Sequence, residues 1–233
     1  MPGGSLTAAQ IVSLAMQIAQ APAGYTQQGG QLFTMTMQDL LWKRDLQVNL
    51  TLENIPIGTN LNGPFTGAAN YLRTYNMTFV LNGQSFKLNP ITLDQYDAEF
   101  KAPQISSYPY EFAVDSSPQA QQLPIQFFIY PQCNQAITLQ HRYFMQQPDI
   151  ATPETSSAIP WFFDQDYLVH ATATRLMTIT NDDRYPAFIK IGEEMLRKFL
   201  IMEGDKEFLP VSIQLDPRLY RRARSLRPTK VTG

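Results

Sequence analysis

The spacing of apolar residues changes period twice along this chain of 233 residues, and the change orders its elements. Ile11, Leu14, Ala15 and Ile18 recur at helical spacing behind Thr7 and Gln10, which have the form of a capping box. This predicts a helix over residues 7–21, stopped by Pro22. Thr26 can cap a second helix to about Arg44, with Phe33, Met37, Leu40 and Leu41 as its stripe. Its Gly29-Gly30 pair costs roughly 1 kcal/mol per glycine, so tertiary contacts must hold that end. From Leu46 the period is two: Leu46, Val48, Leu50 and Leu52 alternate with Gln47, Asn49, Thr51 and Glu53, as in a half-buried strand.

Residues 54–70, rich in Gly, Pro and Asn, read as a long loop projecting toward a partner. Asn82-Gly83 then predicts a two-residue hairpin with Phe79 opposite Phe86 and Met77 opposite Leu88. Thr92 with Gln95 opens a short helix through about Phe100. Strands follow near 110–115, 124–130 and 136–145, and the last places Ile137, Leu139, His141, Tyr143 and Met145 on one face, which suggests an antiparallel meander. Residues 146–160 read as a linker. Helices are expected at about 164–180 and 186–203, the second ended by Gly204. The fold class is therefore α+β: N-terminal helices (1–45) and C-terminal helices (148–204) packed as a bundle around a central antiparallel β insertion (46–147), followed by an extended basic arm (205–233).

Charge separates that arm from the body. Residues 1–38 contain no Asp, Glu, Lys, Arg or His, so a long segment there must be buried by packing or by a partner. Residues 1–217 carry net −8, whereas residues 218–233 carry six cations and no acid, net +6. Neutral polar residues replace charged ones elsewhere, with 22 Gln against 8 Glu, and this is not the composition of a disordered chain. With no basic leader region and no long apolar run, a soluble cytosolic product without a membrane segment is expected.

Little points to catalysis. His141 and His170 lack a His, Cys or Glu at helical metal-ligand spacing, and one cysteine, Cys133, forms no internal disulfide. The carboxylate pairs Asp164/Asp166, Asp182/Asp183 and Glu193/Glu194 are explained by helix starts and surfaces. No phosphate-cradling glycine loop or dinucleotide fingerprint occurs, and the Asn49 and Asn76 sequons lack a secretory signal. No catalytic residue, metal or cofactor is expected. The arm differs: Arg218, Arg221, Arg222, Arg224, Arg227 and Lys230 interleave with Leu219, Tyr220 and Leu226, as for binding phosphates or an acidic, partly apolar protein surface. Val211, Ile213 and Leu215 alternate as a strand able to add to another sheet.

Several stretches together resemble the head-to-tail adaptors of tailed bacteriophages, in the podovirus-type tail-tubular family. They are Leu6-Thr-Ala-Ala-Gln10, Gln17-Ile-Ala-Gln20, Gly24-Tyr-Thr26, Gly30-Gln-Leu32, Tyr71-Leu-Arg73, Tyr108-Pro-Tyr110, Pro148-Asp-Ile-Ala-Thr-Pro-Glu-Thr-Ser156 and Pro160-Trp-Phe162. The resemblance spans most of residues 5–203. It implies a homo-oligomeric ring, typically of twelve subunits, at the portal–tail junction of the virion, with a downstream tail or nozzle protein below it. Double-stranded DNA would pass through the lumen without sequence specificity. By the same resemblance the C-terminal segment reaches the portal, making Val211, Ile213, Leu215, Arg218, Tyr220, Arg221, Arg222, Arg224 and Arg227 the expected portal interface. Two other classes compete: a cell-wall hydrolase carried in the particle, and a free nucleic-acid-binding protein using the arm.

Overall fold

The computed structural model describes residues 5–81, 83–99, 104–121 and 123–202, an α+β arrangement of five α-helices and ten strands. Helix α1 (Ala8–Ile18) starts at Thr7, whose hydroxyl accepts the Gln10 amide while the Gln10 side chain accepts the Thr7 amide. It ends before Pro22. Gln20 turns left-handed (φ 51°), the Ala21 amide donates to Met16 O and the Gln20 amide to Gln17 O, a reversal that satisfies the last carbonyls. Its buried stripe is Ala8, Ile11, Val12 and Ala15; Leu14 and Ile18, expected inside that stripe, face outward.

Helix α2 (Thr26–Lys43) follows a 3₁₀ turn at Ala23–Tyr25. Thr26 is its first residue rather than its cap, and its hydroxyl donates to Ala23 O. The two glycines earn their place by contact: a Cβ on Gly29 would meet Val12 Cγ1 at 3.1 Å, and one on Gly30 would overlap the Glu154 carboxylate. Helices α4 (Gln165–Thr180) and α5 (Tyr185–Met202) complete the helical part. Ile11, Phe33, Leu40, Phe162, Leu168 and Leu200 share one apolar cluster across α1, α2, α4 and α5. Ala15, Ala173, Leu176 and Met177 form a second, between α1 and α4.

The strand expected from Leu46 begins four residues later. Gln47–Asn49 form a 3₁₀ turn, and Leu46 is buried with the helices. Strand β1 (Leu50–Ile57) instead turns Ile55 and Ile57 inward and leaves Leu52 exposed. Its Pro56 is tolerated because β1 lies at a sheet edge. The projecting loop is also corrected. Residues 58–70 contain β2 (Phe65–Thr66) and are stitched to the sheets by Asn60 N–H to Cys133 O, Ile129 N–H to Asn62 O and Gly67 N–H to Ile125 O.

Strands β3 (Tyr71–Leu81) and β4 (Gln84–Lys87) form the expected hairpin, Phe79 opposite Phe86, with Gly83 at φ 77°. Beyond them lie β5 (Asn89–Ile91), α3 (Leu93–Glu99), β6 (Ile105–Ser106), β7 (Glu111–Asp115), β8 (Gln126–Tyr130), β9 (Gln132–Cys133) and β10 (Ile137–Met145). Thr92 and Gln95 exchange both bonds of the capping box ahead of α3. The strands do not form one meander. One antiparallel sheet runs β1-β10-β3-β4; a second runs β2-β8-β7-β5 with β5 parallel to β7; β6 and β9 pair separately and parallel. The two larger sheets share one core, where Met77, Phe79 and Leu139 meet Phe112, Phe127 and Ile129.

One side chain joins sheet to helix. Arg73 of β3 donates from Nη2 to Arg44 O (2.7 Å) and from Nη1 to Leu41 O (3.3 Å), and from Nε to Asp45 Oδ1 (2.7 Å). Those carbonyls end α2, where a cation suits the helix dipole. Arg184 does the same for α1, donating to Ile18 O at 3.2 Å while held by Asp182.

Candidate assembly surfaces

The helices present more apolar surface than their own packing uses. Leu14 and Ile18, one turn apart on α1, are 37% and 36% exposed, and Met35 and Trp42 on α2 and Ile191 and Ile201 on α5 are open to solvent as well. Beyond α1 and α2, Ile159 and Phe163 stand out from the irregular stretch before α4. Scattered exposed apolar residues are ordinary. Here two of them sit in a helix whose own sequence, and all of the preceding chain, offers no charge to keep that face wet.

A groove of about 780 Å³ runs between α2, α4 and α5, with Leu40, Tyr167 and Leu196 among its lining residues. Within it Asp39 is paired with both Arg175 and Lys43, and those two cations hold its carboxyl below the usual range against the opposing effect of burial. At the outer edge of the first sheet, Phe79, Phe86 and Tyr108 stack with centroids 5.3 to 6.3 Å apart, the last two partly exposed.

The groups that invite a catalytic reading are used structurally. Cys133 is buried, which pushes its thiol up to about 11 and suppresses thiolate. Asp164 accepts the Tyr167 amide as the cap of α4, Asp182 holds Arg184, and Glu194 pairs with Lys198 one turn on. His170 stacks on Phe188 at 4.5 Å, and burial holds it below the ordinary histidine range. The ring lies between α4 and α5, where Gly192 leaves it room.

His141 is fully buried between Tyr143 and Phe127, and burial lowers its pKa to about 4. A hydroxyl chain reaches it. Tyr71 Oη accepts the Thr74 amide (2.9 Å) and lies 3.1 Å from Thr74 Oγ1, itself 3.1 Å from His141 Nε2. On the other side, Glu53 Oε2 stands 3.6 Å from Nδ1, beyond hydrogen-bond distance, and accepts the Ala68 amide. Glu53 is raised above the usual carboxylate range by desolvation, which the Ala68 bond partly opposes. This cluster ties β1, β3 and β10 across the sheet.

The residues expected to meet a portal, Val211, Ile213, Leu215, Arg218, Tyr220, Arg221, Arg222, Arg224 and Arg227, lie outside the described residues. Two features escaped the sequence reading. The hydroxyl chain joins residues far apart in sequence, and nothing local marks it. Arg73 did carry a signal, as the one cation between Arg44 and Lys87. No group of three or more His, Cys, Asp or Glu able to hold a metal occurs among the described residues, and no described helix is long and apolar enough to cross a membrane. No protein-family model matches this chain, and no curated protein matches it.

Proposed function

We propose that the chain is a structural subunit of a ring adaptor that joins the portal of a bacteriophage head to its tail and lets DNA pass. The observation that carries this reading is the open apolar surface of α1 inside a segment free of charge. Leaving such area in water costs roughly 25 cal/mol per Å². A lateral neighbour removes that cost without desolvating any charged group, as the depleted cores of subunit interfaces require.

In this reading α1, α2, α4 and α5 form the bundle that makes the ring wall, and β1–β10 are its insertion. Residues 205–233 are the basic arm toward the portal, and a tail or nozzle protein meets the other end. The role is architectural and involves no turnover: Asp164, Asp182 and Glu194 each have a partner within their own helix ends or surfaces. Particle mass tests it. Twelve copies of a 26.5 kDa chain weigh about 320 kDa, and a rotationally symmetric particle of that size, free or on portal-bearing heads, is expected in electron micrographs. A chain that stays monomeric both in solution and with such heads would overturn the reading.

A further inference from the structure

Two surfaces on opposite sides of α4 match each other in shape and charge. On one side, Ala173 and Leu176 pack with Ala15 of α1. On the other, Ala171, Thr174, Arg175 and Thr178 line the groove against α2 and α5, and no described residue of α1 lines it. At about 100° per residue these two sets point in opposite directions from the axis of α4. We infer that the α1 ridge of one copy of this chain seats in the α2–α4–α5 groove of the next.

The ridge is Leu14 and Ile18. Val12 and Met16 approach Gly29 of α2, whereas Leu14 and Ile18, across the helix from them, stand open to solvent. Helix α1 carries no charged side chain, so it can enter an apolar trough without stripping water from an ion. The trough supplies the counterpart, with Leu40 and Leu200 in its lining and Ile189 and Ile201 along α5. Lengths agree: α1 rises about 15 Å from Ala8 to Ile18 and α5 about 18 Å from Ile189 to Ile201, at ~1.5 Å per residue.

Charge sets the direction of the contact. Arg184 donates to Ile18 O, which brings its exposed neighbour Asp183 to the C-terminal end of α1. Asp166 is exposed one turn before His170, on the row of α4 that continues to Ala173. Neither carboxylate has an ion-pair or hydrogen-bond partner among the described residues. The groove carries Lys43, Arg44, Arg175 and Arg197 against Asp39 and Glu193, net +2. Its Asp39 is already engaged by Arg175 and Lys43, and Arg197 is exposed. Ridge against ridge would oppose acids to acids, and groove against groove cations to cations. Ridge in groove relieves both, and it is a head-to-tail contact, the kind that closes into rings.

This inference rests on the adaptor reading for the identity of the partner, a second copy. Two charge-inverted full-length variants test it: Asp166→Lys with Asp183→Lys on the ridge, and Lys43→Glu with Arg197→Glu in the groove. By particle mass, free or on portal-bearing heads, each alone should assemble several-fold more weakly than the wild type at low salt. An equimolar mixture should recover assembly, which also shows that both variants fold. Wild-type assembly by either variant alone, or a mixture no better than its components, overturns the inference. The contact itself is read by mixing Leu14→Cys protein with Ala171→Cys protein and adding a short bismaleimide. Unlike chains should be linked, and the wild type, whose Cys133 is buried, should not be. Linkage of Leu14→Cys chains to one another would make the contact two-fold and overturn the inference. Particles of ring mass in which unlike chains are not linked would leave the adaptor reading standing and overturn this one alone; a wild type monomeric both in solution and with heads would overturn both.

Discussion

Replacing Arg73 by alanine asks how much one guanidinium contributes to holding the helices on the sheets. Its strongest contact is the 2.7 Å bond to Arg44 O, charge-assisted and at a helix end. The side chain is 30% exposed, so the lower end of the charged-bond range applies, about 1.5 kcal/mol. The 3.3 Å bond to Leu41 O contributes about 0.5 kcal/mol. Asp45 is half exposed, and its pairing contributes about 0.5 kcal/mol. The guanidinium also lies 4.9 Å from the centre of the Phe144 ring, worth about 0.5 kcal/mol at a partly wet site. The total is about 3 kcal/mol. At a urea m-value of about 2 kcal/mol/M, the unfolding midpoint should fall by about 1.5 M with m unchanged. Arg73→Lys keeps the charge but not the fork that spans two carbonyls and a carboxylate, so it should recover less than half. A loss below about 1 kcal/mol, or full recovery by lysine, would refute the reasoning.

Gly83→Val should cost about 1–3 kcal/mol, since a β-branched residue must adopt φ 77° although its Cβ would meet nothing within 4 Å; an unchanged melting temperature would deny that strain. Stability should fall as pH drops from about 6.5 to 4, because the unfolded chain protonates His141 there and the folded chain does not, on the order of 3 kcal/mol in all. Glu53 acts in the opposite sense, its raised pKa letting protonation relieve its desolvation as pH falls. An NMR titration should find the His141 ring neutral at pH 5; a ring titrating near 6.5 in the folded protein rejects the prediction. Reversing Arg221, Arg222 and Arg224 to glutamate should weaken attachment to heads, and the deficit should shrink at high salt. Wild-type attachment at low salt would leave the arm without a docking role.

Local chemistry made part of this fold legible. Thr7 with Gln10, Thr92 with Gln95, and Asp164 each announce a helix through bonds made within three residues. Asn82-Gly83 set the Phe79–Phe86 register by turn length alone. Alternation misled at Leu46 and Val48, because a run of period two records which sides are apolar and not what covers them; those residues are covered by helices. Sheet order was illegible for a related reason. Leu50 pairs with Phe144, and no local pattern states a partner that far away. Residues 58–70 resembled a free loop because their anchors are backbone bonds to β8 and β9, which any sequence can make. Of the candidate surfaces, the one on α1 was misread: helical spacing put Leu14 and Ile18 in the buried stripe, and the packed helices leave them open to solvent. The groove needed three helices in place before it existed.

The central position of β10 in its sheet bears on how the chain emerges from the ribosome. Strands β1 and β3 have no direct pairing and meet only through β10, whose residues are made last among the three. Likewise α1 and α2 find their main packing partner in α4, synthesised more than a hundred residues later. The sheet therefore cannot settle before residues 137–145 are made, nor the helices before residues 165–180. Folding waits for those late segments and then depends on long-range closures, which are slow and expose strand edges meanwhile. Fragments ending before residue 137 should accordingly be prone to aggregate, and nascent chains stalled there should engage chaperones that the released protein does not.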